Sequence, residues 1–174
     1  MLNDGIYAGA GHVGQGLTCL DRWLVTQTQA EVKWDLITFN FGLHDLCSPN
    51  PIKPTLCSKA KQARCLGLYK EQLTNITGRL LATGAKLLYV TTTPFMPLRL
   101  HNDTVVESLN SEASAIMHPH SIPVVDLYEV VTKTCGEVYV NCSICLHQPC
   151  WYHYNASGYA KLSGALAAAI KSNL

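Results

Sequence analysis

Two short segments of this 174-residue chain combine residue types that can do chemistry, and the first is Gly42-Leu43-His44-Asp45. It follows Trp34–Asn40, a compact apolar stretch that predicts a buried strand. A glycine followed by a side-chain N–H donor at a strand end can place preorganised donors where negative charge develops on an oxygen. The alternative is a plain turn in which Gly42 adopts a special φ and His44 caps backbone groups.

The second segment is Cys150–Ala160, which carries His153 just before an Ala-rich helix. A histidine on a loop that leads into a helix can be held by packing and act as a general base. The alternative is a loop histidine bonded to backbone, and Asn155 is a competent N-cap that explains part of the segment by helix initiation alone.

Eight cysteines occur, four of them within sixteen residues. Cys135, Cys142, Cys145 and Cys150 are expected to pair among themselves and pin the loop that carries His153, with a connectivity that the sequence leaves open. A structural zinc site is the alternative, although a single CxxC with nearby His147 is a weak zinc signal. Three further cysteines leave an odd member that Cys19 can complete; they are Cys47, Cys57 and Cys65.

Four N-x-[ST] sequons accompany the cysteines and begin at Asn75, Asn102, Asn141 and Asn155. Together they favour an oxidising, extracellular compartment and a secreted glycoprotein. The first residues contain neither the basic nor the apolar region of a signal peptide, so we expect that Met1 is not the native start.

Composition predicts one domain over residues 1–174 and excludes several classes of function. The 13 Lys and Arg residues against 12 Asp and Glu residues leave no basic excess for nucleic acid. No apolar run reaches the roughly 18–20 residues of a transmembrane helix. No metal or cofactor is expected.

Apolar periodicity predicts short strands that alternate with amphipathic helices. The expected strands are Trp34–Asn40, Ala85–Thr91 and Ile122–Leu127. The expected helices are Gly16–Gln29, Lys59–Thr83, Asp103–His118 and Asn155–Leu174, with Thr134–Tyr152 irregular. Three strands separated by helices predict a parallel α/β sheet of three layers, with ligands bound in the loops at the strand carboxyl ends. Those loops are Asn40–Cys47, Thr92–Arg99 and Leu127 onward.

The ordered set of Gly42–Asp45, Thr92-Thr93-Pro94, Val124–Leu127 and His153–Tyr159 resembles the SGNH hydrolases, also called GDSL esterases or lipases. The resemblance implies a flavodoxin-like α/β/α sandwich and Ser–His hydrolysis of acyl esters without a metal or cofactor. Family substrates are lipids, thioesters or acetyl groups on carbohydrate, so the implied partner is a small-molecule or carbohydrate ester.

Transferring the family's roles gives His153 as the base and places Gly9 or Gly11, with Gly42 and His44, in the oxyanion hole. The sequence departs from the family pattern in three places. No Gly-Asp-Ser occurs, so the nucleophile is not in this chain; His44 stands where the family has Asn; and Cys150 stands where the family has the acid three residues before the histidine.

The missing block also implies that the first strand of the sheet is absent, which would leave an unpaired strand edge for self-association. Two hypotheses follow from these departures. Either the chain belongs to an esterase whose serine lies upstream of Met1, or it is a non-catalytic or truncated module that acts in binding.

Overall fold

The computed structural model of this chain describes residues 12–25, 33–45, 59–94, 104–136, 141–148 and 150–174. The predicted alternation of strands and helices is confirmed there. In chain order the elements are α1 (Val13–Trp23), β1 (Leu36–Phe39), a 3-10 turn (Leu43–Asp45), α2 (Lys59–Leu81), β2 (Lys86–Val90), α3 (Thr104–Met117), a second 3-10 turn (His118–His120), β3 (Val124–Val125), α4 (Leu127–Cys135) and α5 (Ala156–Asn173).

The three strands form one parallel sheet in the order β1-β2-β3. Leu36 of β1 lies opposite Lys86 of β2, and Tyr89 of β2 lies opposite Val124 of β3. Because the strands run in one direction, their carboxyl ends meet at a single edge of the sheet. The turn after β1 therefore lies beside the segment that follows β2.

Alternate residues of β2 face opposite layers, as the period of a strand requires. Leu87 and Tyr89 belong to a buried cluster with residues of α1, α2 and α3. Leu88 and Val90 pack instead with residues of α5, including Leu166. The predicted three-layer α/β/α sandwich is confirmed by this division of the core into two faces.

Local signals in the sequence determine where α1 begins and where α2 ends. The Nδ1 atom of His12 accepts a hydrogen bond from the Gln15 N–H at 3.3 Å, and this N-cap starts α1 at Val13, three residues before the predicted start at Gly16. Gly84, with φ +73°, follows α2 and donates its N–H to the Leu81 carbonyl at 3.1 Å, as expected for a glycine after a helix.

Helix α4 corrects the expectation of a loop from Leu127 onward. Asp126 caps this helix, because its carboxylate accepts the Glu129 N–H at 2.9 Å and the Thr91 hydroxyl at 3.1 Å. Asp126 thus has a structural role, because it lies between the end of β3 and the start of α4 and caps the helix. Among the described helices, none is long and apolar enough to cross a bilayer.

Candidate functional site

The turn after β1 requires glycine at position 42. Gly42 has φ +155°, and a Cβ atom placed there would lie 2.3 Å from the Thr92 hydroxyl oxygen. A side chain at this position would therefore strain the backbone and collide with the segment after β2. The sequence-predicted turn is thus packed directly against Thr92, at the carboxyl edge of the sheet.

Three hydroxyl groups converge on the carbonyl oxygen that precedes Gly42. The Phe41 oxygen accepts hydrogen bonds from Tyr89 at 3.0 Å, from Tyr69 at 3.1 Å and from Thr92 at 3.3 Å. The two tyrosine oxygens also lie 3.0 Å apart. Because a trans peptide directs its N–H opposite to its C=O, this cluster turns the Gly42 N–H away from the buried hydroxyls. The Asp45 carboxylate lies within reach of that N–H, and this interaction acts to lower the pKa of the Asp45 carboxyl.

Burial keeps both tyrosines neutral. Removal from water is the main cause that raises the pKa of Tyr89 to about 12, and it raises the pKa of Tyr69 well above its ordinary value. Both phenols therefore remain hydrogen-bond donors throughout the physiological range. The Phe41–Gly42 peptide is held by neutral donors whose state does not change near pH 7.

Two asparagines tie the ends of β1 and β2 to their surroundings. Asn40 donates through Nδ2 to the Val90 carbonyl at 2.7 Å, which links the two strand ends. Asn110 of α3 accepts the Thr92 N–H at 2.9 Å and donates to the Thr92 carbonyl at 2.8 Å. Thr92, which packs against Gly42, is thereby fixed on both sides of its backbone.

Asp45 joins the same turn to α1. Its Oδ1 atom accepts the Val13 N–H at 2.9 Å, whereas its Oδ2 atom is buried with no hydrogen-bond partner among the described residues. Burial raises the pKa of this carboxyl above its ordinary value, whereas the Val13 N–H, the neighbouring His12 and His44, and the Gly42 N–H oppose that shift. The side chain of His44 is exposed beside this carboxylate.

A disulfide-clamped loop, residues 141–148 and 150–155, carries the predicted base. The expectation that four cysteines pair among themselves is confirmed, with bridges Cys135–Cys142 and Cys145–Cys150. These cysteines are therefore oxidised pairs, which removes the thiolates that the zinc alternative needs. Cys65 is also disulfide-bonded, but Cys19 is a free thiol, so the suggestion that Cys19 completes a pair is wrong.

Within the clamped loop, His153 lies on an ordered stretch of backbone. The His153 carbonyl accepts the Leu146 N–H at 2.9 Å, and Cys145 and Tyr154 form an antiparallel bridge. The imidazole is exposed and rests against Tyr152, with ring centroids 4.5 Å apart. Cys150, at the position of the family's acid, is bonded to Cys145 and does not orient this imidazole.

A cavity of about 440 Å³ opens at the carboxyl edge on the α5 face of the sheet. Polar atoms of Asn40, Thr92 and Thr93 share its wall with apolar side chains of Leu43, Leu127 and Leu166. The turn that carries Gly42 and His44 thus borders the cavity through Leu43. His153 is not among the described residues that line the cavity, so the structure does not place its imidazole in the cavity wall.

Two predicted oxyanion residues, Gly9 and Gly11, lie outside the described residues. The sequence interpretation in turn missed the supporting residues Tyr69, Tyr89 and Asn110. A signal for Asn110 exists, because it falls on the otherwise apolar face of α3 that includes Val106, Leu109 and Ala113. Buried polar side chains on such faces usually have a hydrogen-bonding role.

The parallel three-layer fold, with polar groups gathered at the carboxyl edge of the sheet, defines an α/β protein with a candidate ligand site at its strand ends. The family model of GDSL-like lipases/acylhydrolases matches residues 3–166, and the chain belongs to this family. No curated protein matches the sequence significantly.

Several solved structures share the fold at low sequence identity. A lipase/acylhydrolase from Enterococcus faecalis is 20% identical with a TM-score of 0.64, and the match covers 94% of this chain and 72% of that one. The acetyl xylan esterase AlAXEase is 10% identical with a TM-score of 0.67, over 92% and 76% of the two chains. A GDSL-like lipase from Bacteroides thetaiotaomicron is 17% identical with a TM-score of 0.62, over 94% and 72%.

Proposed function

We propose that this chain is part of a carboxylic-ester hydrolase that acts on an acyl or acetyl ester of a small molecule or a carbohydrate. The observation that carries the proposal is the Phe41–Gly42 peptide. Its carbonyl is held by three hydroxyl groups, and its N–H is directed away from them, toward the side of the turn where the Asp45 carboxylate lies. A peptide N–H held in a fixed direction, close to the cavity that Leu43 borders, can help to stabilise an oxyanion.

In this proposal a serine outside the 174 residues attacks the ester carbonyl. His153 takes the hydroxyl proton and passes it to the leaving alcohol, and water then releases the acyl group by the same route. The N–H groups of Gly42 and of Gly9 or Gly11, with the His44 side chain, hold the negative oxygen. Since Cys150 is in a disulfide, the catalytic pair is a Ser–His dyad, and the Tyr152 ring and the clamped backbone orient the imidazole.

The test uses the protein translated from its complete coding sequence. We expect hydrolysis of p-nitrophenyl acetate and labelling by a fluorophosphonate probe, both lost in His153→Ala. His147→Ala is the matched control, because His147 is also an exposed histidine of the clamped loop, and it should retain activity. Undiminished hydrolysis by His153→Ala would refute the assignment of the base. The 174-residue chain by itself is expected to remain unlabelled.

A non-catalytic module is the second candidate function, and two observations favour it. The sequence has no Gly-Asp-Ser, and the residue three before His153 is a disulfide-bonded cysteine instead of an acid. A stop codon immediately upstream of Met1, together with no probe labelling of the natural product, supports this reading. An in-frame Gly-Asp-Ser supports the esterase.

We also propose an extracellular location and a glycosylated chain. Two disulfides in the clamped loop and the four sequons support this location. Tagged protein from the complete coding sequence is expected in the culture medium. Retention of that protein in the cytosol, with reduced cysteines, would contradict the proposal.

Self-association through β1 completes the proposal. Among the described residues β1 pairs on one side only, with β2, and Thr38 of this strand is exposed. An open strand edge can pair with a second copy. Light scattering is expected to give a dimer for the chain and a monomer for Thr38→Lys, with Thr74→Lys on the exposed face of α2 as the control. A monomer at all concentrations would contradict it.

A further inference from the structure

Three of the four sequons lie on described residues. Their surroundings in the folded chain are very different, so the three are not equally accessible. Asn155 begins α5, Asn141 lies in an exposed turn at the start of the clamped loop, and Asn75 lies within α2. We propose that Asn141 is the N-glycosylation site among these three and that the Asn155 sequon is used entirely for structure. This inference names the site for the glycosylation proposed above.

Every hydrogen-bonding position of the Asn155 carboxamide is occupied. The Oδ1 atom accepts the Gly158 N–H at 3.1 Å and the Ser157 hydroxyl at 2.8 Å. The Nδ2 atom donates to the Ser143 carbonyl at 2.7 Å and to the Cys145 carbonyl at 3.2 Å. A carboxamide has two N–H donors and one oxygen with two lone pairs, so nothing is left over.

Glycosylation is incompatible with this arrangement. Transfer from a polyprenyl-diphosphate oligosaccharide forms a bond between Nδ2 and the anomeric carbon, breaks the bond from that carbon to the diphosphate, and releases one Nδ2 proton. One of the two carbonyls of the clamped loop would then lose its donor. The first turn of α5 is also packed closely against this loop, since a Cβ atom at Gly158 would lie 2.5 Å from the Ile144 carbonyl oxygen.

The Asn75 sequon is closed for another reason. Asn75 itself is exposed on α2, but the motif also requires the hydroxyl of Thr77. Thr77 is only 1% exposed, and its hydroxyl is buried against the core. Once α2 has packed, the two groups of this motif lie on different sides of the helix surface and are not accessible together.

Asn141 has neither restriction. Asn141 and Ser143 are both exposed, and no described group hydrogen-bonds the Asn141 side chain. The Ser143 carbonyl that accepts from Asn155 belongs to the backbone, so its hydroxyl is not needed there. The Cys135–Cys142 bridge anchors the neighbouring residue and leaves the Asn141 side chain at the surface.

The test is expression of this chain behind a cleavable secretory leader in a glycosylating eukaryotic host. Sites are read by glycosidase release in heavy-oxygen water and mass spectrometry. Chymotrypsin is the required protease, because no Lys or Arg separates Asn141 from Asn155. We expect a glycan on Asn141 and none on Asn75 or Asn155 of the secreted protein.

Two pairs of variants separate the sugar from the fold. Asn141→Gln and Ser143→Ala should each remove one glycan. Ser157→Ala destroys the Asn155 sequon and should change neither the glycan number nor the secreted yield, whereas Asn155→Gln removes the cap and should lower the yield several-fold without loss of a glycan.

A bare Asn141, or a glycan on Asn75 or Asn155 of the secreted protein, overturns the inference. The added leader forces entry into the secretory route, so these outcomes are independent of the native location. If Asn141 carries a glycan here but the complete natural protein stays in the cytosol, the site assignment stands and the proposed location fails.

Discussion

The turn at Gly42–Asp45 and the clamped loop that carries His153 are both irregular backbone, but they are held in different ways. The turn ends a strand of the sheet and is fixed by buried hydrogen bonds from α2, from β2 and from Thr92, which follows β2. In its described residues the clamped loop has one isolated bridge, between Cys145 and Tyr154, and it is fixed by disulfides and by the Asn155 cap.

The difference follows from what each segment can pack against. Next to a parallel sheet, side chains from distant elements reach the backbone of the turn and satisfy its polar groups. The clamped loop lies on α4 and α5 and has a smaller buried cluster of its own, in which three of the seven buried residues are cysteines. Covalent links there replace the contacts that a sheet would supply. Perturbations of packing should therefore affect the turn, and perturbations of redox state should affect the loop.

The largest effect is expected from Gly42→Ala. Overpacking against Thr92 and the positive φ together should lower the free energy of unfolding by about 3–4 kcal/mol. Gly84→Ala is the matched control, because Gly84 also has a positive φ but its added Cβ would meet nothing within 4 Å, and it should cost about 1 kcal/mol. Urea denaturation measures both, and equal losses would show that Thr92 does not constrain the turn.

Removal of the second disulfide by Cys145→Ser with Cys150→Ser should cost about 2 kcal/mol. The structural consequence should stay local, because both bridges whose two cysteines are described hold the clamped loop and not the turn. In amide NMR spectra we expect the signals of residues 145–154 to shift or broaden while those of Gly42 and Thr92 stay in place. Equal changes in both regions would mean that the two regions are mechanically coupled.

The hydroxyl cluster gives a smaller effect with a specific pH signature. Tyr89→Phe removes one of three donors to the Phe41 carbonyl and should cost about 1 kcal/mol. The pKa of Tyr89 is raised to about 12, so its contribution is complete below pH 10 and is lost as the pH rises through 12. Stability of the wild-type chain should therefore fall between these values, and less steeply in Tyr89→Phe.

Tyr159→Phe is the control for that measurement, since it removes a phenol that is 52% exposed and lies outside the cluster. The alkaline slope of this variant should match that of the wild-type chain. If both variants flatten the slope equally, the effect comes from exposed phenols and not from the cluster at Phe41.

Much of the fold was predictable from the sequence, because apolar alternation and helical spacing are local signals. The three strands and four of the five helices were identified in this way. Helix α4 was not predicted, although its start carries a capping pattern, Asp126 followed three residues later by Glu129. The order of the strands and their register are set by packing between distant segments, which no local pattern reports.

The site was predictable only in part, for the same reason. Gly42 and His44 stand in one motif, so their turn was identified, and the set of four clamped cysteines was apparent from spacing. The hydroxyl donors were not predicted, because Tyr69 and Tyr89 lie 28 and 48 residues from the carbonyl they bind. The pairing of the cysteines could not be predicted either, because it depends on which cysteines the folded backbone brings close together.

The smallest effect is expected at Asp45, where the two faces of one carboxylate make opposite contributions. Oδ1 accepts the Val13 N–H, which stabilises the start of α1, whereas Oδ2 is buried without a described partner. Because the folded pKa is raised, Asp45 favours the folded state most below its ordinary value near 4 and loses that contribution as the pH rises and the group ionises. Asp45→Asn keeps the Oδ1 acceptor and removes the charge. It should leave the free energy of unfolding unchanged or raise it by up to about 1 kcal/mol at pH 7, with a smaller gain at pH 4.

Asp45→Ala separates the two contributions, since it also removes the acceptor for α1 and should cost about 1 kcal/mol at pH 7. Urea denaturation of both variants at pH 4 and pH 7 makes the comparison. If Asp45→Asn were as destabilising as Asp45→Ala, the charge itself would be needed at this position. The turn would then depend on electrostatic attraction from His12 and His44. In that case the turn would be held by charge, and not by neutral hydrogen bonds, while the clamped loop would still be held by disulfides.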